Sequence, residues 1–108
     1  MLTREMILNK DDRKTKKIDV PEWGGEITIR SLSAKDRADY IDAIMADGGK
    51  IIYKNITPVL VILGTIDPKF EKADIEMLQQ KDGSVLDKLA EEIVSLSGID
   101  IYGNPKND

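Results

Sequence analysis

At 108 residues the chain has the length of one domain, and it contains neither cysteine nor histidine. That removes disulfides, thiolate chemistry, Cys–His zinc sites and Ser–His–Asp triads, together with the commonest general base. A net charge of −4 with 33% charged residues of both signs describes a solvated surface with no electrostatic pull toward nucleic acid.

Taken in order, Thr3 to Leu8 reads as a short helix capped by Thr3, with Leu2, Met6 and Ile7 as its apolar side. It is too short to hold alone, so it must dock on the domain, bind a partner or fray. The opening residues carry no apolar core of the signal-peptide kind, and the chain is expected to stay in the compartment where it is made. Asn9 to Lys17 is a charge run without an apolar residue. Its Arg13-Lys14-Thr15-Lys16-Lys17 end resembles a nucleic-acid patch only in isolation, because Asp11 and Asp12 adjoin it and no aromatic is interleaved. It reads as a solvated linker, and residues 1–17 are set apart as helix plus linker.

A hairpin is predicted next. Ile18 and Val20 alternate with charged residues in Lys17 to Val20, as do Ile27 and Ile29 in Glu26 to Arg30, which puts each pair on one face of a strand. Pro21-Glu22-Trp23-Gly24-Gly25 supplies the turn. Two strands are marginal in water, so the Ile/Val face must rest on helices. The glycines do not form a phosphate loop, since no Lys-Ser/Thr follows at the required spacing. Trp23 reads as a lid on a small core.

Ser33 caps a helix, with Asp36 three residues on as a capping box of reduced strength. Ala38, Ile41, Ile44 and Met45 lie along its stripe, Tyr40 flanks it with either core or surface open to it, and Gly48-Gly49 is expected to end it. Asn55 to Ile66 is the one segment apolar nearly all the way round, and it is the piece the others must cover. It falls short of the ~20 residues a membrane span needs. A helix capped by Asn55, with Pro58 in its first turn and a stop at Asp67-Pro68, fits best. A helix begun earlier, through Ile51 and Ile52, and kinked at Pro58 is a second option. A buried strand is disfavoured by Pro58 and Gly64.

Lys72 to Gln80 reads as a short helix with Ile75 and Leu78 inward, Lys81-Asp82-Gly83 as a turn, and Ser84 as the cap of a last helix. Leu86, Leu89, Ala90, Ile93 and Leu96 form the cleanest stripe of the chain, and Ser97-Gly98-Ile99 fits a Schellman ending. Asp100 to Asp108 is polar and expected to be mobile. The carboxylate pairs Asp74/Glu76, Asp82/Asp87 and Glu91/Glu92 lack calcium-loop spacing and sit where caps or solvated faces explain them, so no metal, cofactor or catalytic site is expected. The fold class is mainly α within α+β: about four helices with one N-terminal β-hairpin, residues 18–99 forming the domain.

In sequence order, the short N-terminal helix and charged linker, VPEWGGEITIRSLSAKDRADY, an apolar helix ending in IDPKF, and ADIEMLQQKDGSVLDKLAEEIVSLSGI resemble the tail assembly chaperones of long-tailed bacteriophages and prophages. Trp23-Gly24-Gly25, Ile27, Ile29, Arg30, Leu32-Ser33, Asp67-Pro68, Leu78, and Ile93 through Ser97-Gly98 carry the resemblance, which covers roughly residues 2 to 99. It implies a non-enzymatic protein of the host-cell cytoplasm that binds the tape measure protein and keeps it soluble while tail tube subunits polymerise around it. It also implies a longer product from a ribosomal frameshift, which would reach the tail tube protein. Pro105-Lys106-Asn107 is compatible with an A-rich slippery run. No nucleic-acid, membrane or cofactor partner is implied, and a homo-oligomer is allowed. Exposed apolar surface for the partner is expected at Ile51, Ile52 and Tyr53, with Trp23 and Tyr40 as further contacts. The competing reading is a small regulatory or adaptor domain that binds DNA through a helix-turn-helix around Gly48-Gly49. An apolar second helix speaks against it.

Overall fold

The computed structural model describes residues 1–106. Five helices and three strands are formed among them: α1 (Arg4–Asn9), β1 (Thr15–Val20), β2 (Gly25–Arg30), α2 (Ala34–Ile44), α3 (Ile56–Gly64), β3 (Thr65–Asp67), α4 (Ile75–Gln79) and α5 (Gly83–Ser97). The architecture is mixed α+β.

β1 and β2 pair antiparallel with Ile18 opposite Ile27, and Ile18, Val20, Ile27 and Ile29 are all buried. The alternation thus places one face of the ribbon on the helices. Gly24, at φ 80°, closes the 3-10 turn Pro21–Trp23 between the strands. β1 starts at Thr15, inside the expected linker. Three of the four cations of the basic run are paired: Arg13 with Asp36 at 2.7 Å, Lys16 with Glu92 at 2.7 Å and Lys17 with Glu26 at 3.8 Å.

β3 is an addition to the expected hairpin. It runs antiparallel to β2, Ile29 opposite Thr65 and Thr28 opposite Asp67, with the register slipping at Ile66. The apolar helix therefore stops at Gly64, short of Asp67-Pro68, because the chain turns directly into the sheet.

α3 is the helix expected, with Pro58 in its first turn, where no intrahelical N–H partner is lost. Asn55 does not cap it through its side chain; the amide instead donates to Ala43 O at 2.9 Å. Leu60 and Val61 are wholly buried, each adding about 1.5–3 kcal/mol of burial. α3 lies on α5, whose Leu89, Ala90, Ile93 and Val94 fill the centre. A Cβ on Gly64 would stand 2.6 Å from two side-chain carbons of Ile93, so the glycine sets how closely these helices meet.

The caps follow local chemistry. Ser33 and Asp36 form the full reciprocal box, Asp36 N to Ser33 Oγ at 3.0 Å and Ser33 N to Asp36 Oδ2 at 3.1 Å. α5 is capped by Asp82 rather than Ser84, the carboxylate accepting from Ser84 N at 2.9 Å and Ser84 Oγ at 2.7 Å. Those bonds hold the Asp82 carboxyl below the usual range. At its other end Gly98 adopts φ 73°, Ile99 N donates to Val94 O at 3.1 Å and Gly98 N to Ser95 O at 3.2 Å, a Schellman closure with Ile99 buried.

Beyond it, residues 100–106 fold back on the domain. Asp100 accepts from Tyr102 N and Asn104 N at 2.8 and 3.0 Å, and Lys106 N donates to Gly98 O at 3.0 Å. Asn107 and Asp108, the end of the segment expected to be mobile, lie outside the described residues. Tyr40 reaches this segment from α2, its hydroxyl donating to Ile101 O. Burial, helped by the charges of Tyr102 and Asp100, pushes the Tyr40 phenol from 10.0 up to about 12. The folded state thus holds the neutral phenol more strongly than the unfolded chain does. The associated stability, about 2–3 kcal/mol, is complete below pH 10 and is lost as the pH rises through 12. Urea unfolding followed across that window is expected to show the loss, and Tyr40→Phe to remove that part of the alkaline slope.

Candidate partner-binding surfaces

Three of the five predicted contact residues meet at one edge. α2 ends at Ile44 because Met45 turns extended, and the chain then reverses through Gly48 and Gly49, both at positive φ (82° and 80°), which favours glycine at each. Ala46 N donates to Lys50 O at 2.7 Å, Ile52 N to Ile44 O at 2.6 Å, and Met45 bridges Ile51. The reversal passes into a 3-10 turn, Tyr53–Asn55, held by Asn55 to Ala43 O and by Gln79 of α4, whose amide donates to Lys54 O at 3.3 Å and Asn55 Oδ1 at 3.2 Å.

This rigid frame presents apolar side chains to solvent. Tyr53 is 70% exposed and Met45 44%; on α4, Met77 is 69% exposed. Ile51 and Ile52 are half-buried, but only Ile51 packs against the core cluster. Met45 and Met77 were missing from the expected site. Met45 was expected on the α2 stripe, but it turns extended as the helix C-cap and its side chain reaches solvent; Met77 lies off the Ile75/Leu78 side of α4.

Trp23 lies elsewhere. It is half-buried at the hairpin turn, beside Phe70, Leu78 and Lys81 around a hollow of about 330 Å³. Tyr40 is buried and faces the core, so its ring is not offered at the surface, and of the two roles open to it the core one is filled.

A second apolar surface lies over α3. Val59, Ile62 and Leu63 of α3 and Ile75 of α4 floor a groove of about 420 Å³, with Asp39 and Asp42 of α2 on one wall and Lys72 on the other. It continues into a second hollow of about 480 Å³ that shares Ile62, Leu63 and Lys72, adds Thr65, Ile66 and Phe70, and carries charges of both signs from Arg13, Asp36, Lys69 and Glu71. A helix apolar all round needs cover on every side, and here the outer side of α3 has only partial cover.

No group of three or more Asp, Glu, His or Cys is placed to hold a metal ion among the described residues, and no described helix is long and apolar enough to cross a membrane. α3, second helix of the helix-turn-helix alternative, is largely buried and offers no polar face for base edges. What the surfaces offer is exposed apolar area.

No protein-family model and no curated protein matches the sequence. Among solved structures, one described as "Structure of bacteriophage HK97 tail assembly chaperone" superposes with a TM-score of 0.58. The chain shares that fold. The superposition covers 78% of this chain and 85% of the HK97 chaperone at 22% sequence identity. Likeness at that identity is one of fold, and it falls on the family whose residue pattern the sequence resembles.

Proposed function

We propose that this chain is a non-enzymatic tail assembly chaperone of a long-tailed bacteriophage or prophage, working in the host cytoplasm. In this reading it binds the tape measure protein and keeps it soluble during tail tube assembly. The observation that carries the reading is the fold shared with the HK97 chaperone over 78% of the chain. The client is a long helical protein with apolar faces, so its chaperone needs apolar surface that adapts to many registers. Met45, Ile51, Ile52, Tyr53 and Met77 supply this: thioethers conform to irregular partners, and a tyrosine adds area with a polar tip. Trp23 adds a separate contact at the hairpin turn. Binding of this kind makes and breaks no covalent bond and needs no cofactor.

A longer frameshift product would carry the same domain and continue from the segment where Lys106 returns to Gly98, beside the end of α5. Its extension would reach the tail tube protein.

Co-expression tests the reading. The tape measure protein encoded beside this chain is expected to pellet when made alone, and to stay soluble and co-purify when this chain is present. A tape measure protein that pellets equally in both cases would refute it.

A further inference from the structure

We propose that the hollow where the end of α5 meets the starts of β1 and α2 binds the carboxylates of an acidic segment of a partner protein. The first observation is a framed cavity. Ser97 Oγ accepts from Leu32 N at 2.8 Å and donates to Ile93 O at 2.7 Å, which ties the end of α5 to the connection between β2 and α2. Lys14 is fixed beside that connection, its N–H donating to Ser31 Oγ at 3.0 Å and its carbonyl accepting from Ser31 N at 2.8 Å. Between these segments lies a hollow of about 680 Å³, which leads into a smaller one of about 190 Å³ through the shared Lys14, Ser95 and Leu96. The walls are held by bonds within the domain, so a ligand would order few groups on arrival.

The second observation is charge. The chain carries a net −4, yet the two hollows bring together Arg13, Lys14, Lys16 and Arg37 against Asp12 and Glu92. Arg13 is already paired with Asp36, and Lys16 with Glu92. Lys14 and Arg37 have no carboxylate partner among the described residues. Arg37 Nη2 donates to Ser97 O, where the C-terminal end of α5 favours a cation. That bond uses one of the five donors of a guanidinium, and the planar fork suits a carboxylate. A lysine next to an edge strand can serve simply to discourage strand pairing. Lys14 also lines both hollows, where its charge meets no acid of its own chain.

The third observation selects the ligand. No aromatic side chain lines either hollow, so a nucleobase would find nothing to stack on. Leu96 is half-buried and lies in both, which gives the polar trough an apolar floor. A leucine flanked by glutamates would set its side chain on Leu96 and its carboxylates on Lys14 and Arg37. The trough shares no residue with the Ile51–Tyr53 edge, and the proposal does not rest on binding of the tape measure protein.

The test uses the whole chain and a capped synthetic peptide with one leucine between two pairs of glutamates. Amide NMR shifts during the titration are expected at Lys14, Leu96 and Gly98, and to shrink as salt is raised. Lys14→Glu, at an exposed position, is expected to weaken binding about tenfold with unchanged circular dichroism. Lys81→Glu, the same charge change away from the trough, is expected to weaken it less than about twofold. A peptide with glutamine for glutamate is expected to produce no shifts. Shifts confined to the Ile51–Tyr53 edge, equal losses from Lys14→Glu and Lys81→Glu, or equal binding of the glutamine peptide would each overturn the proposal. So would inorganic phosphate or single-stranded DNA giving the same shifts at lower concentration than the peptide.

Discussion

Gly64→Ala is expected to lower the thermal midpoint by about 5–15 °C, a large response for one methyl group. Two effects oppose each other at this position. Alanine restricts the unfolded chain and favours helix, worth about 0.4–1 kcal/mol. Against that, its Cβ would meet Ile93 Cδ1 and Cγ2 at 2.6 Å and Cγ1 at 2.8 Å. Ile93 is fully buried between α5 and the rest of the core and has no open space to swing into. Overpacking of this kind costs about 1–3 kcal/mol and wins. A double substitution isolates the contact. Ile93→Ala alone should cost about 2–5 kcal/mol. Combined with Gly64→Ala it should cost less than the sum by about 1 kcal/mol or more, because the inserted methyl occupies the space the isoleucine leaves. Additive costs in urea unfolding would mean that α3 and α5 do not approach this closely in solution.

What could be read from sequence was local. The Ser33–Asp36 box, the Gly98 closure and the alternation of Ile18, Val20, Ile27 and Ile29 each depend on residues a few positions apart, and each is present. Errors arise where a distant group competes. Asn55 has the chemistry of a cap but spends its amide on Ala43 O, a bond that exists only once α2 and α3 are packed. Asp82 and Ser84 are both cap formers; a carboxylate that takes both the N–H and the hydroxyl of Ser84 settles the choice two residues earlier. β3 is three residues long, too short to show a period, and is specified by the open edge of β2.

The candidate surfaces were legible in part for the same reason. Ile51 to Tyr53 announced themselves by following two glycines beside a helix that could not cover them. The groove over Ile62 and Leu63 depends on how far α2 and the segment before α4 stand apart, which no local pattern encodes. Tyr40, beside a stripe, is fixed in the core by its hydroxyl bond to Ile101 O, sixty-one residues away and outside any local pattern.

The Ile51–Tyr53 edge yields the sharpest functional expectation. Tyr53→Asp and Ile52→Asp are each expected to leave the fold unchanged and to remove most of the tape measure protein from the soluble fraction. The physical basis is the difference between neighbouring side chains. Tyr53 is 70% exposed, and Ile52, though half-buried, is not among the side chains packed on the core, so a carboxylate at either site stays hydrated in the free protein. In a complex the same carboxylate would be pressed against an apolar helix. Losing a central anchor there costs about 2 kcal/mol or more, roughly thirtyfold in affinity. Ile51 is the internal control. It packs against the core and bridges Met45, so Ile51→Asp should lower the unfolding midpoint as well as solubilisation. If Tyr53→Asp and Ile52→Asp both stay folded and still keep the client soluble, the client does not bind this edge. If Ile52→Asp melts the domain as Ile51→Asp does, Ile52 belongs to the core and Tyr53 alone tests the surface.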